Sequence, residues 1–223
     1  MFGQRANSIY FVLSHCDDSA SLSEFDDWYD DHLKDMVESN LFFRATRYGL
    51  VTNGTCEQHL AIYESSLTGE EVENQISGVV NKLHEQGKIP SLAVVTTNLV
   101  LEAMNPGVYC FPEETIEELT GILLMANNPK TPGTDSSFNS WYDDVHRLDI
   151  QNTGLFATMN RFKSVTDHEI QYVNLYETKL KDVSIALTGL NDFRPKWEEA
   201  GTLYADRINT LRGAYQLRSS FPA

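Results

Sequence analysis

Apolar positions along the chain change period in a regular order. Ser8–Ser14 (SIYFVLS) is a short run of β-branched and aromatic residues before polar HCDDSAS, which predicts a buried strand. Behind it, Phe25, Trp28, His32, Leu33 and Met36 recur at i, i+3, i+7, i+8 and i+11, the stripe of an amphipathic helix that Ser21 or Ser23 would cap. Asp26, Asp27, Asp30 and Asp31 fall largely on the other side, where carboxylates early in a helix also suit its dipole. Phe42–Val51 and Gln58–Glu64 read as two strands around a loop holding Asn53-Gly54, a hairpin signal. Gly69–Glu85 is a second helix, with Val72, Ile76, Val79, Val80 and Leu83 on its stripe, and Leu92–Leu101 is a last β-branched strand.

The same order then recurs. Trp28-Tyr29-Asp30-Asp31 returns 113 residues on as Trp141-Tyr142-Asp143-Asp144, and His32 and Asp35 return 114 residues on as His146 and Asp149. LFFRATRY (41–48) answers LFATMNRF (155–162), and HLAIYE (59–64) answers YVNLYE (172–177), which matches Tyr63-Glu64 to Tyr176-Glu177. Collinear matches between segments of like predicted structure indicate a duplication. The second copy reads as a strand over 118–126, a helix over 137–152, strands over 155–165 and 169–177, a helix over 180–190 and a final strand near 211–218. Residues 191–209, with Trp197, read as an insertion that has no counterpart in the first copy. The seam falls in the Pro- and Gly-punctuated stretch 104–115, giving a first half at 1–105, a linker at 106–117 and a second half at 118–223.

The order β-α-β-β-α-β is that of a ferredoxin-like unit, an antiparallel four-stranded sheet with both helices on one face. The other face of each sheet is apolar and uncovered. Burying apolar surface stabilises by roughly 25 cal/mol per Å2, so the two open faces are expected to close on one another. The expected fold class is α+β, two ferredoxin-like repeats forming one pseudo-twofold α/β barrel, with neither half stable alone.

Composition narrows the partners. The 223 residues carry 32 acidic and 17 basic side chains, a formal charge of -15. A surface this acidic repels nucleic-acid phosphates and anionic lipid, and no apolar run approaches the ~20 residues of a membrane helix. No signal-peptide cleavage pattern follows the short apolar run at the N-terminus. The expectation is a cytoplasmic protein that binds neither nucleic acid nor membrane, as a monomer or a homodimer of the tandem chain. Cys16, Cys56 and Cys110 lack C-x-x-C spacing and read as reduced thiols rather than a disulfide framework or a zinc site. The acid is uneven, -10 over residues 1–105 and -5 over the remainder.

A helix bearing W-Y-x-x-x-H-x-x-D after a first strand, followed by a short strand containing R-Y or R-F, resembles the dimeric α/β-barrel superfamily and, within it, the EthD-like proteins. The spacing is intact from Trp141 to His146 and one residue shorter from Trp28 to His32. The resemblance implies that each repeat corresponds to one subunit of a barrel that relatives build by dimerising. It also implies enzymes acting on hydrophobic secondary metabolites or aromatic breakdown products in a cavity between sheet and helices. Their reactions include cofactor-independent monooxygenation, polyketide cyclisation, lactone isomerisation and decarboxylation, and some members are haem enzymes.

His146 is the first candidate for catalysis, because an imidazole bordering an apolar cavity can move a proton near neutral pH. Asp149 at i+3 could orient it, Tyr142 could donate a hydrogen bond to an enolate, and His32 is the equivalent histidine of the first copy. Trp141, Trp28, Tyr29, Tyr176, Tyr63 and Phe138 are candidates to line an aromatic substrate site, against the simpler reading of each as core. Arg47 and Arg161 could meet an acidic substrate, with a salt bridge to the helix aspartates as the ordinary alternative. The clustered aspartates and histidines suit a solvated helix face better than a metal site, and no metal is expected. A haem ligand could formally come from either histidine, but there is no attachment motif, nor a GxGxxG, P-loop or Gly-x-Ser-x-Gly pattern, and no cofactor is expected.

The function expected is therefore a cofactor-independent enzyme that uses His/Tyr-assisted proton transfer on a hydrophobic aromatic or polyketide-like small molecule, as a cyclase, isomerase, lyase or decarboxylase. The alternatives are a cofactor-independent monooxygenase of the same fold and a non-catalytic ligand-binding or stress-response module. Intact W-Y-x-x-x-H spacing points to the second copy as the one with the working cavity.

Overall fold

The computed structural model describes residues 5–18, 21–51, 58–104 and 119–222. The linker assigned to 106–117 and the Asn53-Gly54 turn lie outside the described residues. The first half runs β1 (Ser8–Cys16), α1 (Leu22–Glu38), β2 (Arg44–Leu50), β3 (His59–Ser65), α2 (Gly69–Glu85) and β4 (Ala93–Ala103). The second runs β5 (Gly121–Pro129), α3 (Asp135–Trp141), a π turn (Tyr142–His146), α4 (Arg147–Asn152), β6 (Thr158–Ser164), β7 (Tyr172–Thr178), α5 (Ser184–Ala200) and β8 (Arg207–Phe221).

All eight strands form one closed barrel in the order β1-β3-β2-β8-β5-β7-β6-β4. Each half contributes a ferredoxin-like sheet, and the seams are antiparallel pairings of β2 with β8 and of β4 with β6. The barrel therefore closes by hydrogen bonding at its edges as well as by burying its apolar faces, which leaves no strand edge exposed for aggregation. Alternation along the strands sorts the side chains. Ile9, Phe11, Leu13, Ile62, Leu101, Ile122, Leu124 and Leu175 fill the interior as one core drawn from both halves. Tyr10, Val12, Tyr63 and Val100 face α1 and α2, and Leu123, Tyr176 and Ala214 face the helices of the second half.

The helices form where their stripes predict. Phe25, Tyr29, Leu33 and Met36 bury one face of α1, with Trp28 and His32 half-buried at its margin and Asp26, Asp27, Asp30 and Asp31 exposed. Ser21 stands at the N-cap without a side-chain bond to the helix; its hydroxyl instead donates to Asp18 at 3.4 Å. In α2, Thr68 and Glu71 make a reciprocal capping box.

Two local departures from the expected pattern matter for the site. The helix of the second half runs unbroken from Asp135 to Asn152, but it widens to a π turn at Tyr142–His146. Val145 is the residue that makes the second motif one longer than the first, and the π turn absorbs it. The second departure corrects the expected helix at 180–190 and insertion at 191–209. Helix α5 continues through Ala200 with Pro195 inside it, and β8 begins at Arg207 rather than 211. Proline inside a helix removes a backbone donor and crowds the carbonyl four residues earlier, yet packing on the sheet carries α5 past Pro195. With a shift of 114, Val72, Ile76 and Leu83 of α2 match Ala186, Leu190 and Trp197 of α5. Trp197 therefore has a counterpart, Leu83, and there is no insertion.

Candidate functional site

The duplicated motif builds the same side-chain arrangement twice. In the second half, the His146 ring lies flat on Trp141, centroids 4.5 Å apart and planes 19° apart, with Tyr142 and Tyr176 edge-on at 5.1 and 6.5 Å. In the first half, His32 lies on Trp28 at 5.0 Å and 25°, with Tyr29 and Tyr63 edge-on at 6.0 Å. Both tryptophans are fixed from behind: Trp28 Nε1 donates to the Lys88 carbonyl at 2.7 Å and Trp141 Nε1 to the Thr202 carbonyl at 2.6 Å. The sequence places the two histidines one residue out of register, and the π turn brings them back to equivalent positions.

The tyrosines next to the tryptophans are held in polar networks. The Tyr142 hydroxyl donates to Asn127 Oδ1 at 2.8 Å and accepts from Asn174 Nδ2 at 3.2 Å. Arg161, its side chain fully buried, donates to Asn174 and Asn139, pairs with Asp143 at 3.0 Å, and lies 4.0 Å over the Tyr142 ring. Arg47 pairs with Asp26 and lies 4.8 Å over Tyr29. Both arginines thus make the helix-aspartate salt bridge. Tyr142 is fully committed to structure on both sides of its hydroxyl, whereas the Tyr176 hydroxyl stands 3.5 Å from His146 Nε2.

A cavity of about 70 Å³ lies between the Asp135–Asn152 helix, α5 and the outer faces of β5 and β8. Tyr142, His146, Ile150, Tyr176 and Trp197 wall it, while Asn191, Arg194 and Asn209 are exposed at its mouth. Trp141 backs His146 from outside this wall, and Phe138 is core, packed edge-on to Tyr142 at 5.1 Å. Trp28, Tyr29 and Tyr63 pack in or against the apolar cluster of the first half. Of the candidate catalytic residues the cavity thus brings together Tyr142 and His146, and of the six predicted to line a substrate site it holds Tyr176.

Burial sets the charge state of these groups. His146 is held down to about 3 by burial first and then by the nearby Arg207 and Arg161. His32 is lowered to about 4 by burial, against the opposing pull of Asp35. Both imidazoles are neutral at pH 7, and Nδ1 of each is buried without a hydrogen-bond partner among the described residues. Burial raises Tyr142 and Tyr176 above the ordinary tyrosine value, so both stay protonated. Asp149 was expected to orient His146, but among the described residues its Oδ2 and the imidazole Nδ1 are each buried without a hydrogen-bond partner. In the first half, Asp35 turns instead to Lys88 at 2.5 Å.

Sequence reading overlooked Arg194, Arg207 and Arg212, which with Trp197 border the cavity. A signal for them was present. Leu190, Arg194 and Trp197 follow helical spacing, and the shift of 114 that aligns the histidines also aligns this segment with α2. Among the described residues no group of three His, Cys, Asp or Glu side chains is placed to hold a metal ion, and no helix is long and apolar enough to cross a membrane. A haem does not fit beside His146, whose ring is covered by Trp141, whose Nε2 faces Tyr176, and whose cavity is far smaller than the macrocycle.

No family model matches the chain. A curated protein from Stachybotrys chlorohalonatus, core atranone cluster protein 1, is 34% identical over 68 residues, which are 30% of this chain and 28% of the relative. The match thus spans less than a third of the length of that relative. Among solved structures, an anthrone oxidase-like protein superposes with a TM-score of 0.59 at 12% identity, covering 98% of this chain and 93% of its own. Chlorite dismutase from Candidatus Nitrospira defluvii gives 0.60 at 10% identity, covering 95% and 91%. A dye-decolorizing peroxidase from Bacteroides thetaiotaomicron gives 0.62 at 9% identity, covering 97% and 94%. At such identities it is architecture that is shared: the chain has the dimeric α/β-barrel fold of these proteins, built from two ferredoxin-like repeats within one polypeptide.

Proposed function

We propose that the chain is an EthD-like, cofactor-independent enzyme that moves a proton on a hydrophobic aromatic or polyketide-like small molecule bound in the second-half cavity. The observation that carries this reading is His146: a neutral imidazole lining a largely apolar cavity, with Nδ1 unpartnered. In that form it accepts a proton from a carbon activated by a neighbouring carbonyl. Tyr176, protonated and 3.5 Å from Nε2, is placed to donate to the enolate oxygen or to pass the proton on. Walls of Ile150, Leu190 and Trp197 keep water from the developing charge. Cyclisation, isomerisation, elimination and decarboxylation all pass through such an enolate. The small cavity admits the reacting ring and leaves the rest of the molecule in the mouth. The 34% identical relative, named for an atranone cluster, favours a substrate from secondary metabolism. This reading has the reaction run in the cytoplasm, with the small molecule as its partner.

The fold shared with an anthrone oxidase-like protein supports a second reading, in which the same carbanion reacts with dioxygen. Anthrone in D2O separates the two. Wild-type protein is expected to catalyse deuterium exchange at the ring CH2, seen by proton NMR, and His146→Gln to abolish it. Oxygen uptake with conversion of anthrone and O2 to anthraquinone and water would establish the oxygenase. Absence of both exchange and uptake across a panel of aromatic ketones, with binding retained, would leave the barrel a ligand-binding module.

A further inference from the structure

Three arginines, Arg194, Arg207 and Arg212, border one small cavity in a chain whose net charge is -15. Like charges gathered at the edge of a low-dielectric site repel one another, so such a cluster is stable only with counter-charge. Among the described residues the one carboxylate paired with any of the three is Glu198, which meets exposed Arg194 at 2.9 Å one helical turn away. Arg207 and Arg212 have no acidic partner there. Arg207 is held by its stacking 5.1 Å over Trp141. Arg212 donates to Asn191 Oδ1 at 3.0 Å and keeps a buried Nε with no partner. Both guanidiniums are positioned, and neither is neutralised.

The duplication supplies an internal control. Strand registers align Met125↔Arg212 and Pro129↔Arg207 of the second half with Val12↔Asn98 and Cys16↔Ala93 of the first. The shift that aligns the helices sets Arg194 against Val80, which packs on the apolar core there. The barrel thus needs none of these cations to fold; the first half fills their places with Val80, Ala93 and Asn98. They belong to the cavity.

We propose that the substrate of this cavity is a carboxylate: an aromatic acid whose carboxylate is held by Arg207 and Arg212, with Arg194 at the rim, while its carbonyl-bearing ring meets His146 and Trp197. A planar carboxylate matches the fork of a guanidinium and takes two parallel hydrogen bonds from it. The proposal rests on the reading of this cavity as the catalytic site and names the class of its substrate. It also bears on the charge of His146: Arg207, which after burial is the next cause disfavouring its protonation in the free protein, is neutralised when an anion binds.

The test is tryptophan fluorescence titration of the full chain with naphthalene-2-carboxylate and with its neutral isostere, naphthalene-2-carboxamide. Wild-type protein is expected to bind the carboxylate at least about ten-fold more tightly, a difference of about 1.4 kcal/mol, and to lose the preference as salt is raised. Arg207→Met and Arg212→Gln should each abolish the preference, and Arg207→Lys, which keeps the charge, should retain part of it. Equal affinity for acid and amide, binding of neither, or a preference unchanged in both arginine variants would overturn the proposal. So would displacement of the naphthoate by equimolar inorganic phosphate, which would mark a phosphate site. His146→Gln is expected to keep the carboxylate preference, so that a wild-type protein that prefers the acid but moves no proton defeats the catalytic reading and leaves this one standing.

Discussion

His146 stacks on Trp141 across five residues, and His32 stacks on Trp28 across four, with nearly the same ring geometry: 4.5 Å and 19° against 5.0 Å and 25°. One extra residue in an α-helix rotates everything beyond it by about 100°, which would carry His146 off the tryptophan and Ile150 off the core. The π turn at Tyr142–His146 takes up the excess within one turn.

Deletion of Val145 is therefore expected to convert the π turn into α-helix and to preserve the stack. The loss should be confined to the partial burial of one valine, about 1 kcal/mol. Thermal unfolding followed by circular dichroism measures it. A destabilisation of several kcal/mol would show that the π turn is required for packing rather than tolerated.

Tyr142 and Tyr176 should separate structure from chemistry. Tyr142→Phe removes the bond donated to Asn127 and the one accepted from Asn174, while Asn174 still donates to Asn127 and to the Met125 carbonyl; losing two buried hydrogen bonds costs about 1–3 kcal/mol in all. Tyr176→Phe removes a 3.5 Å contact to His146 and is expected to change stability by less than about 1 kcal/mol while slowing deuterium exchange on anthrone. Urea midpoints of the two variants, set beside their exchange rates, decide the matter; equal stability losses would contradict the assignment.

Arg161 combines a fully buried side chain, an ion pair to Asp143, two amide contacts and the face of Tyr142. Asp143 is partly exposed and stays solvated when its partner is removed, so the loss comes mainly from the buried bonds to Asn174 and Asn139, about 1–3 kcal/mol, and Arg161→Met should lower the urea midpoint. Arg161→Lys should rescue little, because an ammonium cannot span Asp143, Asn139 and Asn174 from one plane.

Stability should fall on acidification well before carboxylates titrate. His32 and His59 are lowered to about 4 and His146 to about 3, each by burial first. A depressed histidine binds its proton more readily in the unfolded chain, so its contribution is complete above about 6.5 and is lost as pH falls toward the folded value. Glu64 acts in the opposite sense. Burial raises it from 4.5 to about 7, so its contribution is complete below 4.5 and is lost as pH rises through about 7. With three histidines against one glutamate, the urea midpoint is expected to peak near pH 6.5 and to drop steeply toward pH 4. His146→Gln and His32→Gln should flatten that acid limb, and a midpoint constant from pH 6.5 to 5 would count against buried neutral histidines.

Local chemistry fixed most of the architecture in advance. Period-2 and period-3.6 apolar patterns set the strands and helices, α2 from Gly69 to Glu85 among them, and the repeated motif fixed two equivalent halves whose apolar sheet faces had to close. The helix expected to end at 190 runs on to Ala200 past Pro195, because the sheet packing that overrides a proline's local penalty is not legible along the chain. Tertiary structure alone decided which groups meet. The cavity joins His146 from one helix, Arg194 and Trp197 from another, and Arg207 and Arg212 from a strand, segments whose proximity depends on the register of β5 against β8. It also decided that Tyr142 is spent on Asn127 and Asn174, that Asp149 Oδ2 and His146 Nδ1 are each buried without a hydrogen-bond partner among the described residues, and that both histidines are neutral, because burial and partners are properties of the folded interior that a linear order of residues does not contain.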